Sequence, residues 1–360
     1  MRKLAVFFLL LCFISLPCCG QQLLDTDTLL HALPQQAAEH LGDITPETTD
    51  IRENATQLLH SAVAQIRSRL KESVSAGFII LLLCALLSIA TAFTKSAGLI
   101  IPDKVSDFTA VSLVLTVCFT ASGSVLSECA ASVTQLDNFS SILLPVFAAA
   151  TAISGKPVSA VASSGATVVF SKLILSAADQ LLIPALYLYI IACAMGSLSD
   201  SPLLTKTAQL FRWLFTTGLR GLLIVFTAYL SIAGVLAGSA DAVALKTAQV
   251  TISGVIPVVG SLVAGTSEAI LNGGALLRSS IGIFGFLGTC AICLTPFVSA
   301  SLHLLTFKIL AAVSASFSGK AASATLDGIA TAYSMALGLL GTCCAVQFIA
   351  VVVGMVVTNT

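Results

Sequence analysis

From Ser75 to Phe93 the chain runs without a charged side chain, and comparable stretches recur to the end of the sequence. An apolar run of about 20 residues is what an α-helix needs to cross the hydrocarbon core of a bilayer, because a helix rises only ~1.5 Å per residue. In lipid every backbone amide must be satisfied within the protein, which restricts such runs to helices or closed barrels. The runs here are continuous rather than alternating, so they read as helices. Composition agrees: 57% of residues are hydrophobic, only 9% are charged, and the mean hydropathy is +1.01. A soluble domain carries about a quarter charged residues. The fold class expected is therefore all-α, a polytopic helical membrane protein whose principal solvent is the lipid bilayer.

The apolar runs place spans at Ser75–Phe93, Phe108–Leu126, Phe139–Ile153, Val158–Ser176, Leu181–Leu198, Leu214–Gly238, Ile281–Ala300 and Ser334–Val357. A shorter run, His303–Phe317, carries Lys308. The expected number is seven or eight. Lys95 and Lys104 mark the 94–107 connection as cytoplasmic, and Lys206 and Arg212 suggest the same for theirs. The 127–138 connection, with Glu128 and Asp137, is read as lying on the opposite side.

Residues 1–20 read as a secretory signal peptide, cleaved or retained as an anchor: Arg2 and Lys3 precede an apolar Leu4–Leu16 stretch too short to span. Residues 21–74 form the chain's sizeable hydrophilic stretch, expected to be exported. Within it Asp50-Ile51-Arg52-Glu53 resembles a capping box opening a helix. Ile51, Ala55, Leu58, Leu59, Ala62, Val63, Ile66 and Leu70 then form an amphipathic stripe suited to the chain's own N-terminal segment, a membrane surface or a partner. A first membrane bundle is expected over 75–238 and C-terminal membrane helices over 281–360.

Residues 239–280 fit neither class. Asp241, Lys246, Glu268 and Arg278 are too polar for an ordinary span. The Gly254–Ala264 run is too apolar for an ordinary loop and about half the length that crossing requires. Pro257 removes a backbone donor, and Gly254 and Gly260 permit sharp turns. The segment reads either as a re-entrant element or as amphipathic interfacial helices joined by a Pro-Gly turn. Gly282, Gly285 and Gly288, and later Gly338 and Gly341, supply the small residues that let helix backbones approach closely in lipid, within one chain or between copies in a homo-oligomer.

Ionisable groups inside spans are costly and mark functional candidates. Lys172 and Asp179 stand two turns apart along one helical face. Arg220 is flanked by apolar residues on both sides, and Lys308 has no sequence-local partner. The balanced 17 basic and 17 acidic residues give no electrostatic case for nucleic acid. The histidines His31, His40, His60 and His303 lack ligand spacing, and most cysteines lie inside apolar runs where Cys behaves as a small hydrophobe. Cys290 and Cys293 have the spacing of a zinc half-site without a second half. No catalytic constellation, metal site or cofactor motif is visible, so the expectation is a non-enzymatic protein.

Lys246-Thr247-Ala248, Ile256-Pro257-Val258-Val259-Gly260, Glu268, Leu276-Leu277-Arg278 and Ile281-Gly282-Ile283-Phe284-Gly285 together resemble the stage III sporulation protein AE family. The resemblance extends over roughly residues 50–360 and departs at Ala264-Gly265, where a more polar pair is expected. It implies an endospore-forming bacterium. It also implies a membrane component of a channel or secretion-like complex in the mother-cell membrane around the forespore, acting with an ATPase and ring-forming membrane subunits. Two other readings arise from the residues themselves: a secondary transporter, from the broken segment and Arg220, and a passive membrane scaffold.

Overall fold

The computed structural model describes residues 51–96, 103–153, 158–199, 201–232, 280–316 and 319–359. These form seven α-helices: α1 (Ile51–Ser96), α2 (Asp103–Ile153), α3 (Val158–Ala177), α4 (Ile183–Ser199), α5 (Pro202–Ile232), α6 (Ser280–Ser314) and α7 (Gly319–Asn359). A single turn of π-helix, Ala178–Leu182, joins α3 to α4 without interrupting the helical path.

Five helical stretches are long and apolar enough to cross a membrane: His60–Thr94, Val169–Ser199, Pro202–Leu230, Gly282–Ser314 and Ala321–Val352. A sixth is added if the two limbs of α2, Asp107–Thr120 and Ser124–Leu143, count as one span. The described residues thus carry fewer spans than the seven or eight expected, and the difference has identifiable causes. Val158–Ser176 and Leu181–Leu198, read as two spans divided at Asp179, are one helical run passing through the π-turn. His303–Phe317 is not separate either: up to Ser314 it continues the helix that begins at Ser280. Phe139–Ile153 is the end of α2, and residues 127–138, read as a connection, are helical throughout. A polar residue in an apolar run was taken as a boundary in each of these cases, whereas a helix continues through it when a neighbouring helix supplies its partner.

α2 bends by 45° between Thr120 and Ser124. The Thr120 hydroxyl donates back to the carbonyls of Thr116 (2.9 Å) and Val117 (3.0 Å), next to a Ser-Gly pair at 122–123. Back-bonding hydroxyls and Gly/Ser pairs are common causes of helix bending.

The antiparallel pair α6–α7 forms the centre. Their register is set by Phe286 stacked on Phe348, His303 and Phe307 on Tyr333, and Lys308 bonded to Asp327. α2 packs on this pair, with the Cys129 thiol toward the Pro296 carbonyl and Phe139 against Phe284, so it runs antiparallel to α6, and Leu143 meets Gly285. α1 lies on α6 and α2, and α3–α4 on α2 and α7. α5 is outermost, placed by Tyr229 stacked on Phe170 and by Gly218 against Leu182.

α1 is described from Ile51, within the Asp50-Ile51-Arg52-Glu53 sequence. It runs unbroken across residues 74 and 75, from the polar segment into the first apolar stretch. The described part of the amphipathic stripe turns Val63, Ile66 and Leu70 away from the bundle, 65, 42 and 44% exposed. Arg69 and Ser73 instead contact the neighbouring helices. α1 and α6 run parallel, Ser73 opposite Thr306 and Gly77 opposite Leu310. Since α6 ends at Ser314, the last ~15 residues of α1, about 22 Å, extend beyond it. Exposed Leu86, Ile89 and Phe93 lie on that extension.

Candidate functional site: polar groups buried between the helices

The segment that the sequence marks most strongly, with Lys246, Gly254, Pro257, Gly260, Glu268 and Arg278, lies outside the described residues. So do the signal-like start and residues 21–33 and 35–50. Gly282 and Gly285 are buried in the first turns of α6. At Gly285 an added Cβ would come within 2.7 Å of a Leu143 methyl and 3.4 Å of Val351, so its small size is what lets α2, α6 and α7 meet there. A similar requirement holds at Gly328 of α7, where an added Cβ would collide with the Cys193 sulfur, and where the Tyr189 hydroxyl donates to the Gly328 carbonyl at 3.1 Å.

Two groups of polar side chains lie between helices, with buried members such as His303 and Gln347 and exposed ones such as Glu72 and Thr134. The first joins α1, α2 and α6. Arg69 reaches Glu128 at 3.5 Å and, within its own helix, Glu72 at 3.6 Å. One turn further along α1, the Ser73 and Thr306 hydroxyls are 2.9 Å apart. His303, almost wholly buried, is held through Nδ1 on the Ser299 carbonyl at 2.9 Å. Because a carbonyl only accepts, this bond puts a proton on Nδ1 and leaves Nε2 free to accept. Nε2 is buried without a hydrogen-bond partner among the described residues, as are Glu128 Oε2 and Ser299 Oγ. Glu72, Arg69 and Glu128 all lie within electrostatic reach of the His303 ring.

The second group joins α2, α3 and α7. Lys172 and Asp179, expected along one helical face, do share it, but they do not serve each other. Lys172 Nζ bonds to Asp137 Oδ2 at 2.7 Å and to the Asp137 carbonyl at 3.3 Å. Asp179 accepts from the Thr134 hydroxyl at 2.7 Å. Both therefore fasten the α3–π–α4 run to α2, through positions one turn apart on α2 and two turns apart on the α3–π run. The π-turn at Ala178–Leu182 inserts its extra residue where Asp179 makes this bond, and such insertions recur at functional sites. Ser140, Ser171 and Gln347, all fully buried, have no hydrogen-bond partner for their side-chain atoms among the described residues.

Arg220 is exposed on α5, the outermost helix, so the structure brings it to none of these groups. Lys308 has a partner that the sequence did not suggest, Asp327 at 2.6 Å, in a pair whose side chains are 52 and 56% exposed. The cysteines of the described residues are free thiols within helices. Glu128 and Asp137 escaped sequence reading because they were assigned to a connection. Gln347 escaped because it is uncharged, although a lone amide in the apolar Cys343–Val357 run was a signal of the same kind.

A sequence model of the stage III sporulation protein AE family matches residues 40–358. A curated relative, stage III sporulation protein AE of Bacillus subtilis (strain 168), is 25% identical over 153 residues, which is 42% of this chain and 38% of that protein. The aligned region thus spans well under half of that relative. No solved structure matches the chain. The family match extends over the bundle from α1 to α7, and the chain belongs to the stage III sporulation protein AE family, a family of sporulation proteins built here as a multi-span helical membrane protein.

Proposed function

We propose that the protein is a non-enzymatic membrane component of the complex that connects mother cell and forespore during endospore development, a channel or secretion-like assembly in the mother-cell membrane. The observation that carries this reading is the family match over residues 40–358 on a chain whose described helices are long and apolar enough for five or six spans. The partners proposed are those the family resemblance suggests: an ATPase, ring-forming membrane subunits and other membrane proteins of the complex. No cofactor is part of the proposal.

Deleting the gene tests it. The expected outcome is forespores that complete engulfment and then stall, scored by microscopy, with spore yield restored by the intact gene. Normal yield from the deletion strain would overturn the proposal. A conducting role is separated from a passive scaffold by cysteine substitution along 254–264: labelling throughout by a water-soluble thiol reagent supports a pore lining. The transporter reading loses one of its two supports, because Arg220 stands on the outer face of α5.

A further inference from the structure

Two apolar regions of the molecule lie at different levels along the helix axes. α1 and α6 run parallel, and the Ser73 and Thr306 hydroxyls, 2.9 Å apart, fix their register. From that contact back to Ser280, α6 carries no Asp, Glu, Lys or Arg, and α7 carries none from Gly328 to Asn359. In the opposite direction from the same contact, α1 carries none from Ser73 to Thr94. α6 stops at Ser314, so the outer part of this stretch is accompanied, among the described residues, by the first limb of α2. Ile80 and Cys84 line the seam between the two limbs with Ala110 and Val114. Phe78, Leu86 and Ile89 of α1 and Phe108 of α2 stay more than half exposed.

One bilayer does not accommodate both regions. From the level of Ser280 to that of Thr94 the distance along the axis is about 70 Å, at ~1.5 Å per residue. A hydrocarbon core is about 30 Å thick. Midway stand charges that face outward: Glu72 beside Ser73, and the Lys308–Asp327 pair close to Thr306, each with its side chain more than half exposed. A bilayer centred there would hold exposed charges at its middle and leave apolar surface in water at both ends. A bilayer placed over the charge-free parts of α6 and α7 ends at those charges, and the α1–α2 hairpin then projects past it. The hairpin has the dimensions of a spanning element. Ser73–Thr94 is about 32 Å long, close to the thickness of a second hydrocarbon core. Charges bound it at the base, where Glu72 and Glu128 flank Arg69, and at the tip, where Lys95 and Asp107 stand.

We infer that the α1–α2 hairpin enters a second bilayer, apposed to the one that the rest of the bundle spans, with Glu72, Lys308 and Asp327 in the aqueous gap between them. The inference rests on register and length rather than on the sporulation reading, and either can fail without the other.

Tryptophan quenching tests it on the full-length protein, with Trp213, the sole tryptophan of the chain, replaced by phenylalanine. In that background Leu86→Trp reports on the hairpin, and Leu173→Trp, at an exposed position of α3, reports on the bundle. Each protein is reconstituted into vesicles and mixed with protein-free vesicles, with brominated lipid placed first in one set and then in the other. Leu86→Trp should lose most of its emission to bromine in the added vesicles, and Leu173→Trp only to bromine in its own. Adding Ile89→Lys should abolish the first effect and spare the second. Leu86→Trp quenched from its own vesicles alone would overturn the proposal and put both regions in one bilayer. Leu86→Trp quenched from neither set would overturn it too, making a second copy of this chain the cover of the hairpin.

Discussion

α1 and α6 run parallel and touch, yet they occupy opposite environments. The most apolar stretch of α1 is 17% buried, while that of α6, which is less apolar, is 67% buried. In water the more hydrophobic helix would be drawn inside. In lipid the acyl chains are as apolar as leucine, so hydrophobicity gives a helix no reason to leave the bilayer. What draws α6 and α7 inward is close approach and polar pairing. Their contact surfaces carry Gly285 and Gly328, small residues such as Ala322, Ala330 and Ala336, and the buried polar side chains His303 and Gln347. α1 gives large apolar residues such as Phe78, Ile89 and Phe93 to lipid and turns Ile80, Arg69 and Ser73 toward its neighbours.

The contrast can be broken most sharply at glycines. Gly328→Val places a side chain against Cys193 and Tyr189 of α4, and the loss of stability should be several kcal/mol, read as a fall in folded yield and unfolding midpoint. Gly221→Val on α5, where an added Cβ meets nothing within 4 Å, should leave both unchanged. Equal damage from the two would refute the view that close backbone approach organises the centre. Aromatic truncation comes next. Phe284→Ala removes a fully buried ring that meets Phe139, and should cost about 3 kcal/mol. Phe78→Ala, 66% exposed on α1, should cost well under ~1 kcal/mol, because lipid refills the space. Thermal unfolding of both variants in one detergent makes the comparison.

The smallest effects concern charge. Asp137→Ala strands Lys172, and should cost about 2 kcal/mol, less than for a wholly buried pair because Lys172 retains partial exposure. Asp327→Ala opens the exposed Lys308 pair, and should cost below ~1 kcal/mol. A double-mutant cycle on each pair isolates the coupling. Comparable coupling energies would show that depth in the bundle does not govern these interactions.

Much of this was legible in the residues. The apolar runs marked most of the spans, and Lys172, Asp179 and Gly285 each turned out to bind helices together. The boundaries were less legible. Asp179, Glu128 and Asp137 were read as interruptions, because a charge in an apolar run looks like an exit from the membrane until its partner is known. Those partners are distant in sequence, as Arg69 is from Glu128 and Thr134 from Asp179, and no local pattern points to them.

The sequence by itself determined the solvent, the secondary structure and the family: low charge and long apolar runs admit little but helices in lipid, and the match over residues 40–358 identifies the kin. The tertiary structure decided which apolar faces are interior and which carboxylate each cation meets. Core and bilayer are equally apolar, so no hydropathy pattern separates them, and ion pairing between helices depends on a register that is fixed only when glycines, aromatic rings and polar groups from distant segments come into contact.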